Sequence, residues 1–328
     1  MQINRKNGVV MIVGDYEFFD NYYDAIVSLG SSCAIAENIR MNGLFNISSP
    51  FDWIVSLDTS QVSRQFDNKF NSFFNHENQQ LVEKQDEEGH LVILDKETNF
   101  VSRHDIPKGN FLHPDTYKTL NSKFKHKVES FYSRMNFCKK VLFVRHTNDV
   151  TNSEIIDLKK SLVQSFTNTE VHLLILKDSL DENVHKIEHS TWIVCSNFNY
   201  TGIKPNLVWK GDFIAWSEIF SKLKILSYLE RLEEILRERL NSRKVVIWGM
   251  HGNFHEIESL MQKNGLDYYA YDKEISITME SEFLFKEPAF FLDKKKFFVI
   301  VNTRNYYSEI FRELSDKNFE AKNDFFFY

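Results

Sequence analysis

The chain has too little cysteine for a disulfide framework: three in 328 residues, Cys33, Cys138 and Cys195, widely spaced and without a CxxC pair. Neither a stapled secreted scaffold nor a zinc site follows from that spacing, so any special cysteine acts alone. Positive charge is also scarce. The 40 lysines and arginines stand against 46 acidic residues, a net charge of -6, which leaves no excess for neutralising phosphates and excludes nucleic acid as an expected partner. Long apolar runs are missing too. The opening MQINRKNGVVMIVGDYEFFD carries an apolar stretch too short for a signal peptide and followed by acids, and no window reaches membrane-span length, so a soluble cytoplasmic protein is expected. There is no internal repeat and no low-complexity linker. What the chain does have is apolar mass, 42% hydrophobic and 15% aromatic, ample for sizeable cores in about two domains.

Apolar runs of strand length alternate with longer stretches of helical period, the pattern of an α/β fold with a doubly wound, mostly parallel sheet. Strands are predicted over 25–29, 141–145, 171–176 and 192–196. Helices are predicted over 32–42, 59–74, 114–138 and 153–166, the first capped by Ser31 or Ser32 and stopped by Gly43. Residues 90–105 interrupt the alternation with a hairpin around Lys96–Asn99. From Trp216 to Leu240 apolar residues recur at helical spacing, predicting one long amphipathic helix over 216–240. Its heptad register survives for only about two repeats, so a connector is favoured over a dimerising coiled coil, with a homodimer as the alternative. The pattern then restarts with strands at KVVIWG, YYAYD and KFFVIVN and helices over 253–263 and 306–315, and the tail NDFFFY is placed as an edge segment or at an interface. The predicted division is 1–215, an α/β domain; 216–240, the connecting helix; and 241–328, a small Rossmann-like domain.

In IVSLGSSCAIAENIRMNGL, residues 26–44, a strand passes through Gly30 into a helix headed by Cys33. Ligands of parallel α/β sheets sit beyond the carboxyl ends of the strands, at such turns. A thiol there meets backbone N–H groups and the positive end of the helix dipole, which favour thiolate. The amides of Ser32 to Ala34 could hold an oxyanion, and Gly30 and Ser31 shape the exit from the strand. Cys33 therefore reads either as a nucleophile or as a small packed side chain. A nucleophile needs a base. His104, before Asp105 at the end of the hairpin, and His146, at the carboxyl end of a strand, are rival candidates; Arg145 reads as an anion contact or a salt-bridge partner. Asp52, between Phe51 and Trp53, reads as a buried hydrogen-bonding residue or the third member of a triad. Trp216 reads as a core cap or a substrate-facing wall.

Together SLGSSCAIA, SPFDW, SRHDIP, VLFVRH and WKGDFIAW resemble, in order and over residues 24 to about 225, a bacterial family described as putative papain-like cysteine peptidases, DUF1796. The resemblance implies a nucleophile at Cys33 and a His-Asp pair at His104 and Asp105. Asp212 stands where the family often carries Asn; either accepts an imidazole N–H, so Asp105, Asp52 or Asp212 is available to orient His104. A cysteine after the first strand of a doubly wound sheet is also similar to the layout of SGNH-type esterases and acyltransferases. Acyl transfer from Cys33 is thus the leading expectation, on a small-molecule, glycan or peptide substrate and without a cofactor.

VVIWGMHGNFHEIESL sets Gly249 and Gly252 between a strand and a helix, with Asp272 ending the next strand. It fills part of the three-glycine dinucleotide fingerprint and is similar to Rossmann-like units of surface-polysaccharide biosynthesis proteins. The alternative function is accordingly a transferase or nucleotide-sugar-binding protein of capsule assembly in which Cys33 is structural. A non-enzymatic scaffold is the third. His251 and His255 have metal-ligand spacing on a helix face but no evident third ligand.

Overall fold

A computed structural model describes residues 4–6, 9–11, 18–83, 89–107, 114–180, 183–198, 210–250, 252–272, 293–303, 307–321 and 323–328. They form two compact units, Met1–Phe131 with Cys138–Ile225, and Tyr132–Phe137 with Leu226–Tyr328.

The first unit begins with the antiparallel pair β1 (Asn4–Lys6) and β2 (Val9–Met11), then β3 (Tyr22–Tyr23), β4 (Ala25–Ser28) and α1 (Cys33–Met41). Next come β5 (Ile54–Val55), α2 (Thr59–Asp67), β6 (Gln79–Glu83), β7 (Val92–Asp95), β8 (Phe100–Ser102) and α3 (Pro114–Met135), which runs into the second unit. It closes with β9 (Lys140–His146), α4 (Asn152–Ser165), β10 (Glu170–Asp178), β11 (Asn183–Glu188), β12 (Thr191–Ser196), α5 (Phe213–Phe220) and β13 (Lys224–Ile225). The main sheet has the order β11-β12-β10-β9-β4, parallel except for the edge strand β11.

Helices cover both faces of this sheet, because its central strands are apolar on both sides. On one face Ile26, Leu142, Val144, Leu174 and Leu176 pack with Ala34, Ile35 and Ile39 of α1 and with Trp216 and Ile219 of α5. On the other, Phe143 meets Phe66 of α2 and stacks on Phe166 at the end of α4. The hairpin insertion is part of a four-stranded antiparallel sheet, β5-β8-β7-β6. Phe51 is fully buried beside it, its ring within 6 Å of those of Phe66, Phe70, Phe73 and Phe100.

Two helices differ from expectation. The helix predicted over 59–74 ends at Asp67, because Lys69 and Phe70 take positive φ (54° and 59°) and turn Phe70, Phe73 and Phe74 into the aromatic cluster. The long helix predicted over 216–240 is two helices. After Phe220 the chain extends so that β13 pairs with β3, and a capping box, Ser227 with Glu230, starts a new helix.

That helix, α6 (Tyr228–Arg239), belongs to the second unit, followed by β14 (Lys244–Trp248), α7 (Phe254–Lys263), β15 (Tyr268–Tyr271), β16 (Phe297–Val301), α8 (Tyr307–Asp316) and β17 (Phe325–Phe327). Its sheet is wholly parallel, in the order β15-β14-β16-β17. The phenylalanines of the NDFFFY tail supply its edge strand. Among the described residues no helix is long and apolar enough to cross a membrane.

Candidate active site

The turn from β4 into α1 is held from three sides. Leu29 N–H donates to Val144 O (2.8 Å), His146 N–H to Gly30 O (3.2 Å) and Ser56 N–H to Ser31 O (2.8 Å). Gly30 has φ of +73°, and a Cβ there would stand 2.3 Å from Ser56 Oγ, so the close approach of Ser56 requires glycine. The Gly30–Ser31 peptide is cis. Ser32 caps α1 by accepting from Ala34 N–H, which engages one of the amides expected to serve an oxyanion. Cys33 is the first residue of the helix and partly exposed. No acidic side chain stands in that first turn, so the positive end of the dipole is not offset from within the helix.

Arg145 has a different place from the one expected. Its guanidinium is fully buried and donates to Leu29 O (2.7 Å), Thr59 Oγ1 (2.9 Å), Ser56 O (2.6 Å) and Leu57 O (3.1 Å), with a longer contact to Ser56 Oγ (3.4 Å). These oxygens, not a substrate anion, take up its donors. Burial pushes its pKa down to about 10, with the charge of Asp58 working the other way. Arg145 thereby ties the strand end before Gly30 to the segment that meets Ser31.

His146, one residue on, points to the opposite face, as strand alternation requires. Its Nε2 lies 3.0 Å from Asp178 Oδ2, and its ring stands edge-on to those of Phe198 (5.7 Å) and Trp216 (5.3 Å). Asp178 also accepts from Asn148 Nδ2 (3.0 Å) and Phe198 N–H (3.1 Å). Partial burial opposes its ionisation, but the bond and charge of His146 together with these donors outweigh it and hold the carboxyl below its ordinary value. Trp216, weighed as a substrate wall, is fully buried behind the imidazole. Asp212 is the N-cap of α5, accepting from Ile214 N–H at 2.9 Å.

His104 occupies a cleft of about 410 Å³ lined by Trp53, His90, His104, Asp105, Lys123 and Lys127. Its ring stands edge-on to Trp53 (6.1 Å) and His90 (5.8 Å). The Asp105 carboxylate is buried and bound by Ser102 Oγ (2.6 Å), Lys123 (2.7 Å) and Lys127 (3.0 Å); burial opposes its charge, and the two lysines with Ser102 nevertheless hold its pKa below the ordinary value. Trp53 also receives the Arg40 guanidinium at 5.1 Å, and Arg40 lies two turns along α1 from Cys33, about 10 Å by helical rise. Asp52 is buried, accepts from Ser49 N–H at 2.9 Å, and is pushed up to about 7 by desolvation.

The span that carries these residues has a match among known families. Residues 24–177 match DUF1796. The description of that family is "Putative papain-like cysteine peptidase", and the matched segment contains Cys33, Asp52, His104, Asp105, Arg145 and His146, ending one residue short of Asp178. An uncharacterized protein of Acanthamoeba polyphaga mimivirus is 27% identical over 225 residues, covering 59% of this chain and 95% of its own. No solved structure matches.

In the second unit Gly249 has φ of +104°, and a Cβ there would lie 2.3 Å from the backbone oxygen of Asn302, so this glycine lets the ends of β14 and β16 approach. Asp272, in the place of a ribose-binding acid, accepts from Met250 N–H at 2.8 Å and closes the turn. Gly252 has φ of +61° with open space around it. His255 contacts Glu258 (3.3 Å), and His251 is outside the described residues. Among the described residues no group of three or more His, Cys, Asp or Glu could hold a metal ion.

Asp178 and its link to His146 escape a reading of the sequence. Its signal is register: Leu176 pairs with His146 across β10 and β9, which places an acid at the end of the apolar run LLILKD beside that histidine.

Proposed function

We propose that the chain is a cysteine-dependent hydrolase or acyltransferase with Cys33 as nucleophile. The observation that carries this reading is the position of Cys33, at the head of α1 and directly beyond a strand of a parallel sheet, within the span that matches the family described as "Putative papain-like cysteine peptidase". The thiolate attacks the carbonyl carbon of an acyl group. A C–S bond forms as the carbonyl opens to an oxyanion, which backbone amides at the turn and the helix dipole stabilise. Collapse expels the leaving group with a proton from a histidine and leaves a thioester. Water or an acceptor hydroxyl or amine then attacks, passes its proton to the histidine, and releases the product and the thiolate.

The other cysteines provide internal controls. Cys138 is buried, and burial raises the pKa of the partly exposed Cys195 despite the charge of Lys177. At neutral pH iodoacetamide should label Cys33 at least about tenfold faster than either, read by peptide mass spectrometry, while Cys33→Ala keeps the wild-type melting temperature. Equal labelling of Cys33 and Cys195 defeats the proposal.

A further inference from the structure

We infer that the His146–Asp178 pair, rather than His104 with Asp105, is the base and orienting carboxylate that serve Cys33. This rests on the reading of Cys33 as a nucleophile and gives it a proton acceptor.

Val144 packs in the same core cluster as Ala34 and Ile35 of α1, and His146, two residues on, shares that face. Its ring contacts confirm the side, since Phe198 and Trp216 belong to the same cluster. At the edge, the backbone of His146 bonds directly to Gly30, three residues before Cys33. The imidazole and the head of α1, where Cys33 stands, therefore share the carboxyl edge of one sheet on the face covered by α1.

The pair is also built as a base needs to be. Asp178 fixes Nε2, which leaves Nδ1 to exchange the proton, and Asn148 and Phe198 fix Asp178 in turn. Of the elements around the ring, β10 contributes the charged Asp178, while α5 and the segment after β12 contribute Trp216 and Phe198, which bear no charge. Asp105, by contrast, answers to two lysines. Before attack the Cys33 proton passes to His146 Nδ1, Asp178 stabilises the imidazolium without taking the proton, and the leaving group receives it when the oxyanion collapses.

The test is the pH dependence of Cys33 alkylation in the full chain, for wild type, His146→Asn, Asp178→Asn and His104→Asn. The wild-type rate should persist below pH 7. His146→Asn and Asp178→Asn should each move the profile upward by about one pH unit or more, and His104→Asn should leave it in place. A shift with His104→Asn and none with His146→Asn overturns the inference, as does no shift with any of the three. If the His146 variants fail to fold, histidine NMR of the wild type decides: alkylating Cys33 should move the His146 ring resonances more than those of His104, and the reverse order overturns it. Wild-type Cys33 that labels no faster than Cys195 instead defeats the acyl-transfer reading itself.

Discussion

Replacing Arg145 with Met removes a cation whose donors meet four protein oxygens at 2.6–3.1 Å. Hydrogen bonds to a charged group contribute about 1.5–3 kcal/mol each, so four at the low end give about 6 kcal/mol. Against this stands desolvation. Burial brings the guanidinium pKa down from its ordinary value to about 10, a cost of about 3 kcal/mol. The bonds win, and the variant must also leave the carbonyls of Leu29, Ser56 and Leu57 without their donor. A net loss of about 3–5 kcal/mol is expected, which for a unit of this size lowers the melting temperature by about 10–15 °C. Urea unfolding followed by tryptophan fluorescence reads the first quantity and calorimetry the second. Arg145→Lys should recover less than half of the loss, since an ammonium cannot reproduce the planar fork. Should Arg145→Met lie within about 1 kcal/mol of wild type, the view that this residue braces the Cys33 turn is wrong.

Two further outcomes are expected. Burial pushes the ionisation of Asp52 up to about 7 in the folded protein, well above the ordinary carboxylate range, so the unfolded chain gives up its proton first. The contribution of Asp52 to stability is whole below about pH 4 and declines as pH rises to about 7; Asp52→Asn should therefore gain about 2–4 kcal/mol on wild type between pH 4 and pH 8, and a difference in urea midpoint that stays constant with pH would sink the assignment. Gly249→Ala drives a methyl against the backbone oxygen of Asn302 and should destabilise the second unit by about 2–4 kcal/mol, seen as earlier exposure of Trp248 in urea, with Cys33 labelling unchanged; an unaltered midpoint contradicts the close packing of β14 on β16.

The sequence was most legible where apolar runs are long. The four parallel strands of the first sheet and helices α1 and α4 appear within a few residues of their predicted ends, since burial on both faces leaves uninterrupted apolar runs. β11 went unseen because four of its six residues are polar and the strand is half exposed at the edge of the sheet, where the apolar pattern is weak. The break after Phe220 had a local mark, Ser227 and Glu230 in capping-box spacing, which the strong helical period on either side obscured. For the candidate site, the turn at Gly30 and the head of α1 could be read locally. Arg145 and Asp178 could not, because their roles depend on partners 86 and 32 residues away in sequence, and long-range register alone brings those together.

Arg145 and His146 are neighbours on one strand that do unlike work, one bracing the turn on the α2 face and the other held by Asp178 on the face that α1 covers. A strand sends successive side chains to opposite faces, so a slip of one residue in β9 would bring the brace to the α1 face and bury the imidazole among the braced carbonyls. β9 is protected from that exchange by being paired along both edges, with β4 and with β10. Single-residue insertions or deletions within 140–146 should therefore abolish Cys33 reactivity and folding together, whereas the same changes in the turn at 96–99 should leave both intact.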